Sequence, residues 1–373
     1  AHENVYRIIE QISSTKETPL LIMNTNVMRN RCEQFREELR ELSNARVFYA
    51  VKANPHLDIV KLLYELGTGF EIASKDELDI VSSLDVPSSK IISSNPIKIP
   101  IFIESAYERG VNSFTFDSHT EIEKLSQLAA GSNVYVRLLV SNTGSEWPLD
   151  KKFGVDVEDA VSLLLEARRK NLEPYGIAFH VGSQCSRPAT WIKAIEKTKM
   201  VWESVKKQGI ELRSINIGGG FPCRYTERVP SIREIIQAVK KSLKANFPHE
   251  QDIEIIAEPG RALVGEAGIL VTTVIGKATR AGQNWLYLDV GVFNGLMEVM
   301  GGIKYQFIKS NSGAVKNWVL AGPSCDSMDI ITKRVELPEP EIGDKIYIIP
   351  AGAYTTAYAS EFDGFHIPEV HVL

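Results

Sequence analysis

"FYAVKAN", residues 48–54, is a short apolar run that closes on a single lysine. On a strand, Phe48, Ala50 and Lys52 point one way, and Val47, Tyr49 and Val51 point the other. Neither side offers a polar face, so the run reads as an interior strand with Lys52 at its end. A buried ammonium is costly unless it is paired or neutralised, and burial lowers a lysine's pKa. Lys52 therefore either snorkels out of the strand end into water or has a chemical task.

Outward from this run the chain keeps a rhythm. From about residue 46 to 260, eight β-type runs alternate with helical stretches: "RVFYAVKAN", "GFEIAS", "KIISSN", "SFTFDS", "NVYVRLLV", "YGIAFHVGS", "SINIGGG" and "IEIIAEPG". Between them lie segments such as "HLDIVKLLYELG", "KDELDIVSSL", "HTEIEKLSQLA" and "VEDAVSLLLEARRKN", with apolar residues at the helical period. Eight strands and their helices over roughly 215 residues match the count and size of a (β/α)₈ barrel. The alternative is a doubly wound open sheet. The G-x-G-x-x-G turn it often carries is absent after the first strand, which favours the barrel.

After Arg261 the rhythm changes. "GILVTTVIGKAT", "NWLYLDVGV", "KNWVLAG", "DIITKRVELP" and "DKIYIIPAGAY" read as strands with little helix between them. The expectation is an α/β protein with two domains: a barrel over 28–265, and a mostly-β domain built from 1–27 and 266–373, to which "TPLLIMNT" contributes a strand. A length of 373 residues agrees with two cores.

Charge and composition exclude several partners. The net charge is −5 and no basic face is evident, which argues against nucleic acid. No apolar stretch approaches the roughly 20 residues a membrane span needs. The first residues, "AHENVYRIIEQISSTKE", lack the apolar core of a signal peptide. Cys32, Cys185, Cys223 and Cys325 are scattered and read as reduced thiols of a cytoplasmic protein. No metal-ligand cluster stands out among the histidines, and no metal is expected.

In a barrel enzyme the chemistry sits at the C-terminal ends of the strands. Those ends here carry Lys52; Glu71 and Ser74, with Glu77 following; Arg137; His180, Gly182 and Ser183; Gly218, Gly219 and Gly220; and Glu258 with Arg261. Singly, each has a structural reading: a flexible turn, a core histidine, a local ion pair. Together they suit one ligand. A glycine run lets backbone N–H groups approach a phosphate, and Ser183 and Arg261 add donors and charge. A lysine amine with a lowered pKa condenses with an aldehyde. A carboxylate such as Glu258 can keep a pyridine nitrogen protonated, and a flat ring such as His180 can cover its face. The implied cofactor is pyridoxal 5′-phosphate.

"YAVKAN" (49–54), "FHVGSQ" (179–184), "NIGGGFP" (216–222), "AEPGR" (257–261), "GPSCDSMD" (322–329) and "GAYTTAYASEFDGF" (352–365) resemble the pyridoxal-phosphate-dependent basic amino acid decarboxylases of the alanine-racemase fold. The resemblance covers nearly the whole chain in order. "SEWPLDKKFG" and "VFNGLME" look closest to the bacterial lysine/ornithine branch. It implies decarboxylation of ornithine to putrescine, with lysine to cadaverine second, in polyamine biosynthesis. It also implies a homodimer with shared active sites. On this resemblance Lys52 carries the cofactor, Glu258 pairs its ring nitrogen and His180 stacks on the ring. Ser183, Gly220, Arg261 and Tyr354 bind the phosphate, shaped by Gly218 and Gly219, and Arg137 supports the site from the barrel floor. Cys325 and Asp326 enter the partner's site, where Asp326 grips the distal ammonium and Cys325 or Lys52 supplies the Cα proton. Phe362 and Tyr354 line the substrate pocket, and Lys152 pairs with Asp329 across subunits.

Three positions depart from the pattern. Glu71 stands where ornithine enzymes of the family usually have Asp, Phe293 where eukaryotic ones have Tyr, and only Glu298 is available as a second acid for the distal amine. Arginine or diaminopimelate decarboxylation and a non-catalytic, antizyme-inhibitor-like role are the alternatives. A distal carboxylate would meet Asp326 and Asp329, two anions, and a decayed enzyme would not be expected to keep Lys52, Cys325 and Asp326.

Overall fold

The computed structural model describes residues 2–250, 252–309 and 313–373. The chain divides into two compact units: Arg29–Pro222 with Val229–Leu263, and Ala1–Met28 with Cys223–Arg228 and Val264–Leu373.

The first unit is the barrel. Its strands are β1 (Ala45–Ala50), β2 (Gly69–Glu71), β3 (Ile91–Ile92), β4 (Ser113–Phe116), β5 (Asn133–Arg137), β6 (Glu173–Ala178), β7 (Ser214–Asn216) and β8 (Glu254–Ala257). All neighbours pair in parallel, in the order β3-β2-β1-β8-β7-β6-β5-β4. β3 is only two residues long, yet Ser93 extends it and closes the ring. Its N–H donates to Ser113 O at 3.0 Å, and its carbonyl accepts from Thr115 N at 2.9 Å. The eight runs read from the sequence are these eight strands. Phe48, Ile92, Tyr135, Ala178 and Ile256 cluster as one buried core, the packed interior expected of a closed barrel.

Local chemistry starts the helices where the chain needs them. Ser74 and Ser118 cap Lys75–Ser83 and His119–Leu128, each accepting at 3.2 Å from the N–H three residues on. Ser231 and Glu234 form a reciprocal capping box before Ile232–Asn246. The caps at Ser74 and Ser118 begin the return leg soon after the strands that end at Glu71 and Phe116, leaving short loops to present side chains.

The second unit is mostly β. Its main path runs Gln306–Ile308, Lys345–Ile349, Gly268–Arg280, Gln283–Leu288, Val315–Ala321, Ile330–Pro338. Leu20–Met23 joins it, antiparallel to Gly268–Arg280 and parallel to Glu369–Val372. Ile9, Leu20, Ile22, Val271 and Tyr347 form its core. Cys223–Arg228 falls with this unit: Tyr225 O accepts from Gln306 Nε2, and its ring meets that of Tyr305 edge-on, centroids 5.6 Å apart.

One local expectation fails. The strand at "FYAVKAN" ends at Ala50, and Val51–Ala53 form a 3₁₀ turn with Lys52 exposed. The turn is pinned by Asn54 N donating to Val51 O at 3.2 Å and by the Tyr49 hydroxyl donating to Asn54 O at 2.8 Å. Alternation stops there, so Lys52 is presented by a turn and not held within a strand.

Candidate active site

Each barrel strand delivers a polar residue at or just past its C-terminal end: Lys52, Glu71, Ser94, Asp117, Arg137, His180, Asn216 and Glu258. Glu258 is buried, 8% exposed, beside Glu71 and Asn216, which are buried as well. Its Oε2 accepts from Asn216 Nδ2 at 3.0 Å and from the Ser94 hydroxyl. Burial, and then the Glu71 carboxylate, push its pKa up to about 7, against the two donors and the Lys52 charge. Among the described residues its Oε1 takes no hydrogen bond, so one carboxylate oxygen is left for a ligand donor.

His180 shares two charged neighbours with this carboxylate, Lys52 and Arg137. Its Nδ1 accepts from Gly182 N at 3.0 Å, and Asn142 Nδ2 holds its carbonyl at 3.0 Å. Burial first, then Arg137 and Lys52, hold the imidazole well below its usual range, so the ring is neutral at pH 7. A neutral ring with Nδ1 accepting is a flat face, suited to stacking. Arg137 is itself pulled down by burial and supported by Glu258, Asp117 and Glu71. Glu77, pushed up to about 7 by burial and by Glu71, accepts from Ala73 N at 2.7 Å.

The glycine run is required by space. Gly218 and Gly220 have φ of +68° and +85°. A Cβ would fall 2.4 Å from Phe179 O at Gly218, 2.5 Å from Glu258 O at Gly219, and 2.3 Å from Gly182 O at Gly220. Beside the run, Arg261 Nη2 donates to the Ser183 hydroxyl at 2.9 Å. Backbone approach, a hydroxyl and a buried guanidinium form an oxyanion cradle, and Glu258 offers an acceptor for a pyridinium N–H. The set fits pyridoxal 5′-phosphate.

The remaining expected residues lie in the β unit. Cys325 and Asp326 are exposed on one loop; Cys325 N donates to Asp363 Oδ2 at 3.0 Å, and Asp326 Oδ1 accepts from Met328 N at 2.8 Å. Phe362 is 44% exposed, its ring 4.9 Å from that of Phe293. Tyr354 sits at φ +53°. Asp329 is buried and accepts from Val292 N at 2.8 Å and Ser324 N at 3.1 Å, which makes it the internal brace of this loop. Glu298 is buried as well.

Sequence reasoning missed Ser94 and Asn216. Asn216 was detectable as a polar residue opening "NIGGG"; Ser94, in "IISSN", looks like any turn serine. It also missed a surface grouping. His119 and Glu123, one helical turn apart, meet Glu166 with ligand-type atoms within 4.8 Å of one another, although Lys170 occupies Glu123 at 2.7 Å.

A parallel barrel with a phosphate cradle, a strand-end lysine and a buried carboxylate defines the class of pyridoxal-phosphate enzymes built on this fold. The comparisons place the chain within it. Residues 26–265 match the family of pyridoxal-dependent decarboxylases, pyridoxal binding domain. The lysine/ornithine decarboxylase of Selenomonas ruminantium is 34% identical over 361 residues, 96% of this chain and 90% of that protein. The structure of SrLDC with PLP and cadaverine superposes with a TM-score of 0.90 at 33% identity, covering 98% of this chain and 93% of that one. The lysine/ornithine decarboxylase of Vibrio vulnificus, complexed with putrescine, gives 0.90 at 32% identity, covering 98% and 97%. The chain belongs to the pyridoxal-dependent decarboxylase family. It is a pyridoxal-phosphate-dependent decarboxylase.

Proposed function

We propose that the chain decarboxylates a basic L-amino acid, ornithine first and lysine second, for polyamine biosynthesis, as a cytoplasmic homodimer whose active sites are shared between subunits. What supports the substrate class is Asp326: an exposed carboxylate, tethered through one oxygen to Met328 N, on a loop braced from within by Asp329. It suits a distal ammonium and repels a distal carboxylate. Among the described residues no helix is long and apolar enough to cross a membrane.

Pyridoxal phosphate, when bound, supplies the electron sink that accepts the pair left behind as CO₂ departs. The protein's work is to hold and orient. Lys52 anchors the cofactor through Nζ, within 28–265, the cofactor-binding domain of this reading. Glu258 holds the ring nitrogen's proton, which keeps the sink cationic. His180 covers the ring, and Arg137 stiffens the floor beneath it. Ser183, Gly220 and Arg261 take the phosphate, with Gly218 and Gly219 giving the backbone its approach. Cys325 or Lys52 returns the proton to Cα. Asp326 of one subunit grips the amine in the other's site, and Phe362 lines that pocket.

Borohydride reduction of the yellow holoenzyme tests the anchor: mass spectrometry should find the cofactor fixed on Lys52. Assays with ornithine, lysine, arginine and diaminopimelate test the substrate. A preference for diaminopimelate, or label on another lysine, overturns the reading.

A further inference from the structure

Ser94 stands between two buried carboxylates and gives one donor to each. Its backbone N–H donates to Glu71 Oε1 at 3.1 Å, and its hydroxyl donates to Glu258 Oε2. Glu71 is 4% exposed and Glu258 8%. Like charges held this close tend to share one proton unless each has its own donors. The Glu71 charge already acts on Glu258, second only to burial in raising its pKa, and Ser94 acts against it.

The serine has little freedom to drift. Four residues on, the buried Lys98 ammonium donates to Asn95 O at 2.8 Å and to Thr115 O, and pairs with Glu121 at 2.9 Å. Ser93 is stitched into the barrel ring on the other side. The loop after β3 is thus fixed from both ends, and the hydroxyl is delivered to Glu258 by a rigid support. Asn216 Nδ2 lies 3.4 Å from the same hydroxyl, so both donors to Oε2 are mutually positioned.

We propose that Ser94 is a positioning residue that keeps Glu258 anionic toward the ring nitrogen of the bound cofactor. This rests on the reading of Glu258 as the ring-nitrogen partner. Without the hydroxyl, Oε2 keeps only Asn216, and the carboxylate binds a proton more readily. The proton on the ring nitrogen then moves toward Glu258 Oε1, leaving a neutral ring and a neutral acid. A serine that only filled space would lower stability and leave that proton where it is.

The test is solid-state ¹⁵N NMR of holoenzyme reconstituted with cofactor labelled at the ring nitrogen, recorded from about pH 5 to 9. The wild type should stay protonated across the range, and Glu258→Gln should read neutral. Ser94→Ala should lose the ring proton by about pH 8 or below, at least about one unit before the wild type and so tenfold or more in the protonation equilibrium. Ser94→Thr, which retains the hydroxyl, should follow the wild type. If Glu258→Gln leaves the signal unchanged, the reading of Glu258 itself is wrong. If Glu258→Gln shifts it and Ser94→Ala does not, or if Ser94→Thr behaves as Ser94→Ala, the role given to Ser94 is wrong.

Discussion

Asn216 ties Glu258 to the glycine run: its Nδ2 donates to Glu258 Oε2 at 3.0 Å while its Oδ1 accepts from Gly218 N at 2.9 Å. One side chain, 2% exposed, thereby sets the carboxylate against the start of the cradle. Asn216→Ala strands a buried N–H and removes a donor from a buried carboxylate. An unsatisfied buried donor costs about 1–3 kcal/mol, and more when a charged group is involved. Urea unfolding of the apoprotein should show a loss of about 2–4 kcal/mol. A loss under about 0.5 kcal/mol would mean that water takes over both bonds.

Gly220 and Gly343 separate backbone strain from close approach. Both have positive φ, +85° and +96°. A Cβ at Gly220 meets Gly182 O at 2.3 Å, whereas at Gly343 it meets nothing within 4 Å. Gly343→Ala should cost only the left-handed penalty, about 1–2 kcal/mol. Gly220→Ala should cost more and weaken cofactor binding about tenfold or beyond, read by fluorescence titration. Equal effects of the two would show that the cradle is not closely packed.

The pH dependence of the apoprotein carries the signature of raised carboxyls. Glu77 and Glu258 are both pushed up to about 7, by burial first and then by Glu71. The folded chain therefore binds protons that the unfolded chain releases above about 4.5. Their contribution to stability is complete below that value and is lost as pH rises through about 7. His180, held below its usual range, works the other way, destabilising as pH falls. Glu77→Gln isolates one component. Relative to wild type it should gain about 1–2 kcal/mol between about pH 5 and 7.5, Glu77 being only half-buried. A flat difference across that window would mean that Glu77 ionises normally.

Much of this site was legible because barrels put strand ends on one rim. Lys52, Glu71, Arg137, His180 and Glu258 could be collected from the eight apolar runs alone. What pattern could not show was the direction of a bond. Ser94 looks like a turn residue until the barrel closes and brings β3 near Glu258, 164 positions away. Two missed strands of the β unit, Gln306–Ile308 and Glu369–Val372, are three and four residues long. The second pairs with Leu20–Met23 from the far end of the chain, a pairing no local window contains. Lys52 was misread in conformation because alternation cannot tell a strand's last residue from the turn that follows it.

If Asp326 serves the neighbouring subunit's site, two dead variants should rescue each other. Lys52→Ala and Asp326→Ala homodimers lack a complete site. Random exchange makes half the dimers hybrids, each with one intact site of two, so about a quarter of wild-type activity should return. The check is an assay of the mixture, with native mass spectrometry confirming that subunits exchange. Exchange without recovery would place both residues in the same subunit's site.

The sharpest test of the substrate is Asp326 itself. Its Oδ1 is engaged by Met328 N at 2.8 Å, and the side chain is exposed. It can thus act on a distal ammonium without holding the loop together, a task that falls to Asp329 through Val292 N and Ser324 N. Removing one partner of a charge-assisted hydrogen bond in a closed complex costs about 2–5 kcal/mol, roughly 30- to 5,000-fold in kcat/KM. Asp326→Ala should lower kcat/KM for ornithine and lysine by that order and leave cofactor content normal. Asp329→Ala should instead destabilise the fold, because two backbone N–H groups lose their acceptor. Ornithine should remain ahead of lysine in the wild type by a modest factor, since one methylene is worth only about 1–3 kcal/mol. Arginine's broad planar guanidinium should fit poorly beside a loop so braced. Unchanged ornithine and lysine kinetics in Asp326→Ala would remove this residue from substrate recognition and require another anion to hold the distal amine.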